Sequence, residues 1–366
     1  MFVSKVELRD YRNYNNIIVE LDSGINILYG ENAQGKTNFI EAIYFAAIGR
    51  SHRTNYEKEL IAFDKKAAGI RIFIEKGSFT DRIDVSVKKE GKKEVAVNGI
   101  NVKKLAELFG SLYSVIFSPE DLSLVNGSPS ARRRFMDMEI CQLYPIFYFE
   151  LGQYCKILKQ RNSLLKEISK KRNTYELNEM LNIWDEQIVE HGIKIINYRK
   201  EFIKKINEIA NVIHKGISEK EELRIDYKNN VESSDYMEKL RKNRERDILM
   251  GTTSIGVHKD DISFFLNGID ARMYGSQGQR RCVSLSLKLA EIEMIKSETS
   301  KSPVLLLDDV FSELDKGRQR ALVNKIGGIQ TIITCTGIDV LNPNYFNSNR
   351  SIRTYNVEKG TIKRNK

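Results

Sequence analysis

A glycine-rich loop near the N-terminus constrains this chain more than any other stretch. The apolar run Ile25 to Tyr29 predicts a strand before the loop, and apolar residues at helical spacing follow it. Such a loop turns backbone N–H groups toward phosphate oxygens, and its lysine reaches the outer phosphates. The predicted nucleotide-binding residues are Gly30, Glu31, Asn32, Ala33, Gln34, Gly35, Lys36, Thr37 and Asn38. The sequence therefore predicts binding of a nucleoside triphosphate, which we take to be ATP.

Two adjacent aspartates near the C-terminus add a metal and a reaction to this prediction. The segment 301–309 is a short apolar run that predicts a buried parallel strand ending in Asp308 and Asp309. Ligands of α/β sheets bind at that end of the strands. We expect Thr37 and Asp308 to hold Mg²⁺, the aspartate through water, and Asp309 and Lys36 to be catalytic, with Asp309 orienting or deprotonating the attacking water. The alternative is a pair of aspartates that only cap a helix.

A second segment with phosphate-binding character indicates a dimer. Ser276 to Gln279 opens a predicted helix, so a hydroxyl and several N–H groups lie at a positive helix end. One nucleotide does not need two such surfaces from one chain, which favours a head-to-tail homodimer with ATP between the subunits. The residues predicted to act on the partner's nucleotide are Ser276, Gln277, Gly278 and Gln279, with Ser312 and Asp315 beside them.

The pattern along the chain predicts an α/β fold with an inserted helical domain. Strand patterns and the hairpin signals Asn98-Gly99 and Asn267-Gly268 occur on both sides of a helical stretch. That stretch begins at Ser128-Pro129, and apolar residues recur every three or four positions from Leu177 to Ile213, as in a helical hairpin or short coiled coil. We predict a head formed by residues 1–128 and 251–366 and an arm formed by residues 129–250.

Charge and composition agree with a polyanionic partner. The 366 residues carry a net charge of +10, which favours nucleic acid first and an acidic membrane surface second. Charged residues interrupt the N-terminus, and no run approaches the length of a membrane span, so we expect a cytoplasmic protein without a membrane partner. Neither the four cysteines nor the four histidines show metal-ligand spacing.

Basic residues at the start of the arm form a candidate DNA surface. Contacts from such residues to phosphates are independent of sequence and sensitive to salt. A solvated helix face is the alternative for any single lysine. The candidate DNA-binding residues are Arg132, Arg133, Arg134, Lys156, Lys159, Lys170 and Lys171, and Arg161 lies among them.

Several stretches together resemble one known family. Ser276 and Gly278 match the signature motif of ABC-type ATPases, and 312–315 matches their D-loop. Further stretches resemble the RecF family of the SMC-like group, and the matches extend from residue 6 to about 340. They are Val6 to Tyr14, Gly30 to Asn38, Gly49 to Thr54, Phe117 to Leu122, Gly127 to Phe135, Gly256 to Asp261 and Tyr274 to Arg280.

The resemblance implies an ABC-type ATPase head, a P-loop NTPase with a mixed sheet, that dimerises on ATP. It also implies binding to duplex or gapped DNA or to single-strand/duplex junctions, and RecR, RecO and RecA as partners. The chain departs from wider patterns at Val257 and Lys259, where the family has Pro and Arg. It also has Asp309 where most ABC ATPases have Glu, and no histidine after the strand 331–336. A shorter base and no imidazole predict slow hydrolysis, which suits a switch.

Two other functions remain open from the sequence. An ABC transporter ATPase subunit shares the phosphate loop and the signature, but it needs a membrane partner. An ATP-gated scaffold that hardly hydrolyses ATP is compatible with Asp309 and the missing histidine.

Overall fold

The computed structural model describes residues 1–170, 175–218, 221–337 and 351–365, except for the side chains of residues 122 and 123. The chain divides into two compact units. The head unit consists of Met1–Ser123, Val212–Glu221 and Gln277–Lys366, and the helical unit consists of Leu124–Asn211 and Glu222–Ser276. Residues 251–276, which the sequence placed in the head, thus lie in the helical unit, and the end of the long arm helix lies in the head.

The strands are introduced here in chain order. They are β1 (Phe2–Tyr11), β2 (Tyr14–Glu20), β3 (Ile25–Tyr29), β4 (Ala67–Lys76), β5 (Phe79–Lys88), β6 (Glu94–Val97), β7 (Ile100–Asn101), β8 (Ser114–Phe117), β9 (Leu223–Lys228), β10 (Asp261–Leu266), β11 (Ile269–Asp270), β12 (Val304–Asp308), β13 (Thr331–Cys335), β14 (Ile352–Glu358) and β15 (Thr361–Arg364).

The helices are α1 (Lys36–Ile48), α2 (Pro129–Leu143), α3 (Pro145–Lys170), α4 (Tyr175–Ile217), α5 (Tyr236–Lys242), α6 (Arg244–Met250), α7 (Ala271–Tyr274), α8 (Gln277–Thr299) and α9 (Lys316–Lys325). Short 3₁₀ turns lie between them, including Pro119–Ser123 and Val310–Glu313. Within the described ranges, no helix combines the length and the apolar character needed to span a bilayer.

Two sheets build the head around α1. The first is antiparallel with the strand order β2-β1-β4-β5-β6-β7. The second is mixed with the order β15-β14-β3-β13-β12-β8, and its central strands are parallel. Helix α1 contacts strands of both sheets and is buried on nearly every face. The parallel sheet therefore brings the ends of β3, β12 and β13 to one edge.

Local sequence signals set several boundaries. Ser128 caps α2, its hydroxyl accepting from the Ala131 N–H with Pro129 at the first helical position. Asn98-Gly99 and Asn267-Gly268 form the β6–β7 and β10–β11 turns, and all four residues have positive φ, as type I′ turns require.

The helical unit contains a small sheet, of which the sequence predicted the β10–β11 hairpin and missed the third strand, β9. Its order is β11-β10-β9, and the edge strand β9, which pairs with β10, lies in a region that was predicted to be mainly helical up to residue 250. The signal was the alternation of buried Leu223 and Ile225 with exposed Arg224, which has a period of two residues. The helical seam is present as predicted: α3 and α4 share a core of Leu164, Leu165, Ile168 and Leu181.

Candidate nucleotide-binding and hydrolysis site

The predicted phosphate loop joins β3 to α1 in a conformation that two glycines make possible. Gly30 and Gly35 have φ values of 155° and 121°. A Cβ at Gly30 would come within 2.3 Å of the Val357 carbonyl oxygen, and one at Gly35 within 2.6 Å of the Asn13 amide nitrogen. Both positions therefore require glycine.

Lys36 lies inside this loop rather than pointing to solvent. Its side chain is buried, and its ammonium donates to the carbonyl oxygens of Gly30 and Glu31 at 2.8 Å each. Glu31, Asn32 and Ala33 are exposed, and Gly35 precedes the first turn of α1. A cation at a helix N-terminus, surrounded by a backbone turn, is suited to a polyphosphate.

Neighbouring turns hold the loop in place. The Asn13 amide donates to the Gln34 carbonyl at 2.8 Å, and the Tyr14 hydroxyl donates to the Gly35 carbonyl at 2.9 Å. From the β14–β15 turn, the Lys359 N–H donates to the Gln34 side chain at 2.7 Å. The loop is thus bound to both sheets before any ligand arrives, which lowers the ordering cost of binding.

The metal-binding residues predicted from the sequence lie together. The Thr37 hydroxyl donates to Asp308 Oδ1 at 2.8 Å, although the two residues are 271 positions apart. Thr334 on β13 donates to the same oxygen at 2.8 Å. Burial raises the pKa of Asp308 above its ordinary value, and the two hydroxyl groups oppose that shift. A hydroxyl and a carboxylate at this point are the donors that Mg²⁺ prefers, so the residues fit the ion that the sequence predicted.

Asp309 follows in a strained backbone conformation. It is a non-glycine residue at φ 52°, its N–H donates to Thr334 Oγ1 at 2.9 Å, and its carbonyl accepts from Ser312 Oγ at 2.6 Å. Such strain persists only where the surroundings enforce it. Thr334 therefore contacts both aspartates, and neither it nor Cys335, which follows it on β13, is a histidine. Cys335 is buried, and burial raises the pKa of its thiol to about 11.

Of the predicted signature and D-loop residues, Ser276 is the last residue of the helical unit and the others belong to the head. Ser276 and Gln277 are exposed, and α8 begins at Gln277. The Gln279 amide donates to Glu221 at 2.7 Å. Asp315 caps α9 by accepting from the Arg318 N–H at 3.0 Å.

Comparison with known proteins places this geometry in a family. The model described as the RecF/RecN/SMC N terminal domain matches residues 2–363. The DNA replication and repair protein RecF of Lachnoclostridium phytofermentans is 46% identical over 100% of both chains, and that of Clostridium botulinum (strain ATCC 19397 / Type A) is 44% identical over 100% of both. The chain belongs to the RecF family.

Solved structures agree with the assignment to the RecF family. The recombination mediator protein RecF-ATP in the RecFOR pathway has a TM-score of 0.91 with 34% identity, covering 100% of this chain and 98% of that one. The Smc head domain of Pyrococcus furiosus has a TM-score of 0.55 with 16% identity, covering 100% and 96%, and shows a shared fold. The predicted fold, an ABC-type ATPase head, is confirmed.

One charged network beside the candidate site was missed from the sequence. Arg12 forms two hydrogen bonds of 2.9 Å to the fully buried Glu41 of α1, and Ser51 donates to the same carboxylate at 2.5 Å. Burial alone would raise the pKa of Glu41, but these hydrogen bonds outweigh it, and the pKa is lowered. Arg53 donates to Asn38 at 2.9 Å and lies 3.7 Å from Glu41. The sequence signal that could have revealed this network was Glu41 itself, a charged residue on an otherwise apolar face of α1.

The predicted DNA cluster of this RecF-family chain divides into buried and exposed residues. Arg132 is 1% exposed and forms a bidentate pair with Asp261, at 2.6 and 2.8 Å, so it belongs to the core of the helical unit. Arg133 donates to the Asp260 carbonyl at 2.7 Å. Arg161 is fully buried against Asp185 and Asp247. The sequence analysis predicted that these arginines face DNA. It could not detect their partners inside the protein, because those partners are distant in the sequence.

The remaining members of the cluster are at the surface. The exposed residues are Arg134, Lys156, Lys159 and Lys170, and Lys171 lies outside the described residues.

Proposed function

We propose that this protein is an ATP-dependent DNA-binding protein of DNA replication and repair. The observation that supports this most is the Thr37–Asp308 contact, which joins the phosphate loop to the strand-end carboxylates in a chain that aligns end to end with RecF proteins. RecF relatives named for ATP and for the RecFOR pathway support the nucleotide and the process. Family membership argues against the transporter alternative.

The residues of the site have distinct roles in this proposal. Lys36 and the loop N–H groups bind the phosphates, and Thr37 with Asp308 would hold Mg²⁺, which when bound neutralises phosphate charge. Asp309 orients the attacking water and accepts its proton. Ser276 to Gln279 of a second copy complete the site, so ATP joins two heads and its slow hydrolysis separates them.

DNA is the proposed partner of the ATP-bound dimer. The net charge of +10 and the exposed residues Arg134, Lys156, Lys159 and Lys170 support contact with phosphates. Duplex or gapped DNA, or a junction of single and double strands, is the proposed substrate. We further propose RecR and RecO as partners in loading RecA, because RecF relatives are named in the RecFOR pathway.

The test is DNA binding with and without ATP, measured on gapped and intact duplexes over a salt series, with molecular mass read in parallel. We expect ATP to produce dimers that bind DNA with a steep salt dependence. Dimers that are indifferent to DNA would contradict the proposal and favour the ATP-gated scaffold. The scaffold is the second candidate because Asp309 is a short base and no histidine is present after β13.

A further inference from the structure

The signature segment and the D-loop of one chain are joined by two arginines. Arg281 of α8 donates to the Glu313 carbonyl at 2.9 Å and to the Glu313 carboxylate at 2.8 Å. Arg318 of α9 donates to the Gly278 carbonyl at 3.0 Å. Arg281, just after the signature segment, thus binds a backbone oxygen of the D-loop. Arg318, just after the D-loop, binds a backbone oxygen of the signature segment.

Further contacts of Arg318 make its position well defined. Its guanidinium also donates to the Asp315 carboxylate at 2.5 Å and to Cys282 Sγ at 3.0 Å. A planar fork with several donors fixes orientation in a way that a lysine does not. The side chains of Arg318 and Arg281 are 21% and 29% exposed and those of Asp315 and Glu313 are 56% and 41% exposed, so water screens both ion pairs in part.

The contacts to backbone oxygens matter because, in the proposed function, backbone groups of these two segments contact the partner's phosphate and the turn at Asp309. Gly278 lies in the first turn of α8, whose N–H groups would face the partner's phosphate in the proposed dimer, and its carbonyl oxygen accepts from Arg318. Ser312 of the D-loop also donates to the Asp309 carbonyl at 2.6 Å. The arginine pair therefore connects the segment offered to a partner's nucleotide with the chain's own catalytic turn.

We propose that Arg281 and Arg318 are positioning residues that hold the signature segment and the D-loop as one rigid surface for the second subunit. The two segments are more than 30 positions apart, and Arg281 and Glu313 are separated by 32. Without the arginines, each segment would have to be ordered separately when the dimer forms, which costs free energy of association. This inference rests on the proposed ATP-dependent dimer.

The test uses the charge reversals Arg281→Glu and Glu313→Arg, singly and combined, with full-length protein. Sedimentation with ATP gives the dimer dissociation constant, and fluorescent ATP binding at low protein concentration gives the monomer affinity. Each single variant should weaken dimerisation by about tenfold, and the double variant should recover the part of the loss that belongs to the side-chain ion pair, because a carboxylate at position 281 cannot donate to the carbonyl of residue 313. Monomer ATP affinity and the unfolding midpoint should stay close to wild type, which a general structural defect would not allow.

Lys316→Glu is the matched control, because Lys316 is an exposed residue on the first turn of α9. It should dimerise as wild type does. Arg318→Ala gives a second, independent readout and should weaken the dimer about as much as Arg281→Glu. If wild type stays monomeric with ATP, the proposed function fails and this inference with it. If wild type dimerises and the single variants dimerise equally well, or the double variant shows no recovery, only the arginine connection is wrong.

Discussion

At the scale of single residues, the proposed hydrolysis of ATP depends on Asp309. Thr334 and Ser312 hold its backbone, and the carboxylate is the proposed base. Asp309→Asn should lower hydrolysis by about 100-fold or more, because an amide cannot accept the proton. The variant should still bind ATP and should remain dimeric on DNA. Steady-state phosphate release and sedimentation measure both, and unchanged turnover would remove Asp309 from the mechanism.

Substitutions of Arg132 and Lys159 should have opposite effects on stability and on DNA binding, although the sequence placed both residues in the same basic cluster. Arg132→Ala leaves the Asp261 carboxylate without its buried partner and should cost about 3 kcal/mol of unfolding free energy. Lys159→Ala, at an exposed position, should leave stability within about 0.5 kcal/mol and lower the salt dependence of DNA binding by about one ion. Urea unfolding measures the stability of each variant, and DNA binding over a series of salt concentrations measures its phosphate contacts. A stable Arg132→Ala protein would contradict the core assignment.

At the scale of elements, the Gly256 to Asp261 segment, one of those that resemble the family, is a structural centre of the helical unit. Arg199 of α4 donates to the Val257 carbonyl at 2.7 Å and to Asp260 at 2.8 Å. The Tyr154 hydroxyl lies 2.8 Å from His258 Nδ1, and His258 Nε2 lies 2.9 Å from the Thr253 carbonyl. The segment is therefore explained by packing within the unit.

The surroundings of His258 predict that this unit loses stability in acid. Because a carbonyl only accepts, Nε2 carries the proton and Nδ1 accepts from Tyr154. Burial lowers the pKa of His258 to about 4. The unfolded chain binds a proton at higher pH than the folded chain does, so this contribution to stability is complete above about pH 6.5 and is lost toward pH 4.

The variant His258→Gln should therefore flatten the decline in unfolding free energy between pH 6.5 and pH 4.5, and should lower stability at pH 7.5 by about 1 kcal/mol. Urea unfolding across this pH range is the measurement. Burial also lowers the pKa of His52 in the head to about 4. The part of the pH dependence that comes from His52 should therefore remain in the variant. An unchanged pH profile would show that His258 does not titrate in this way.

At the scale of the whole molecule, the proposed activity depends on two copies. Ser276 is exposed before α8, and the phosphate loop that it would complete belongs to another subunit. Ser276→Arg should leave monomer binding of ATP within about twofold and abolish ATP-dependent dimers, since a large side chain fills the space for the partner's phosphate. Mass measurement with ATP tests this, and normal dimers would contradict the composite site.

The sequence by itself determined the features that depend on neighbouring residues. The glycine-rich turn between β3 and α1, the type I′ turns and the Ser128-Pro129 helix start all appear where predicted, because glycine, asparagine, serine and proline set backbone conformation locally. The parallel strand ending in Asp308 is also local, since its apolar run and length define it. The proximity of Thr37 to Asp308 could be predicted as soon as the two strands before them were taken to be parallel, because the carboxyl ends of parallel strands lie at the same edge of a sheet.

Only the tertiary structure decided which charged residues face water. Arg132 meets Asp261 across 129 positions, and Arg12 meets Glu41 from another element of the head. A run of arginines has the same local pattern whether it faces solvent or a buried carboxylate, because the difference lies in the desolvation cost that a distant partner offsets. The link between Arg318 and Gly278 arises in the same way, from packing that no local pattern records.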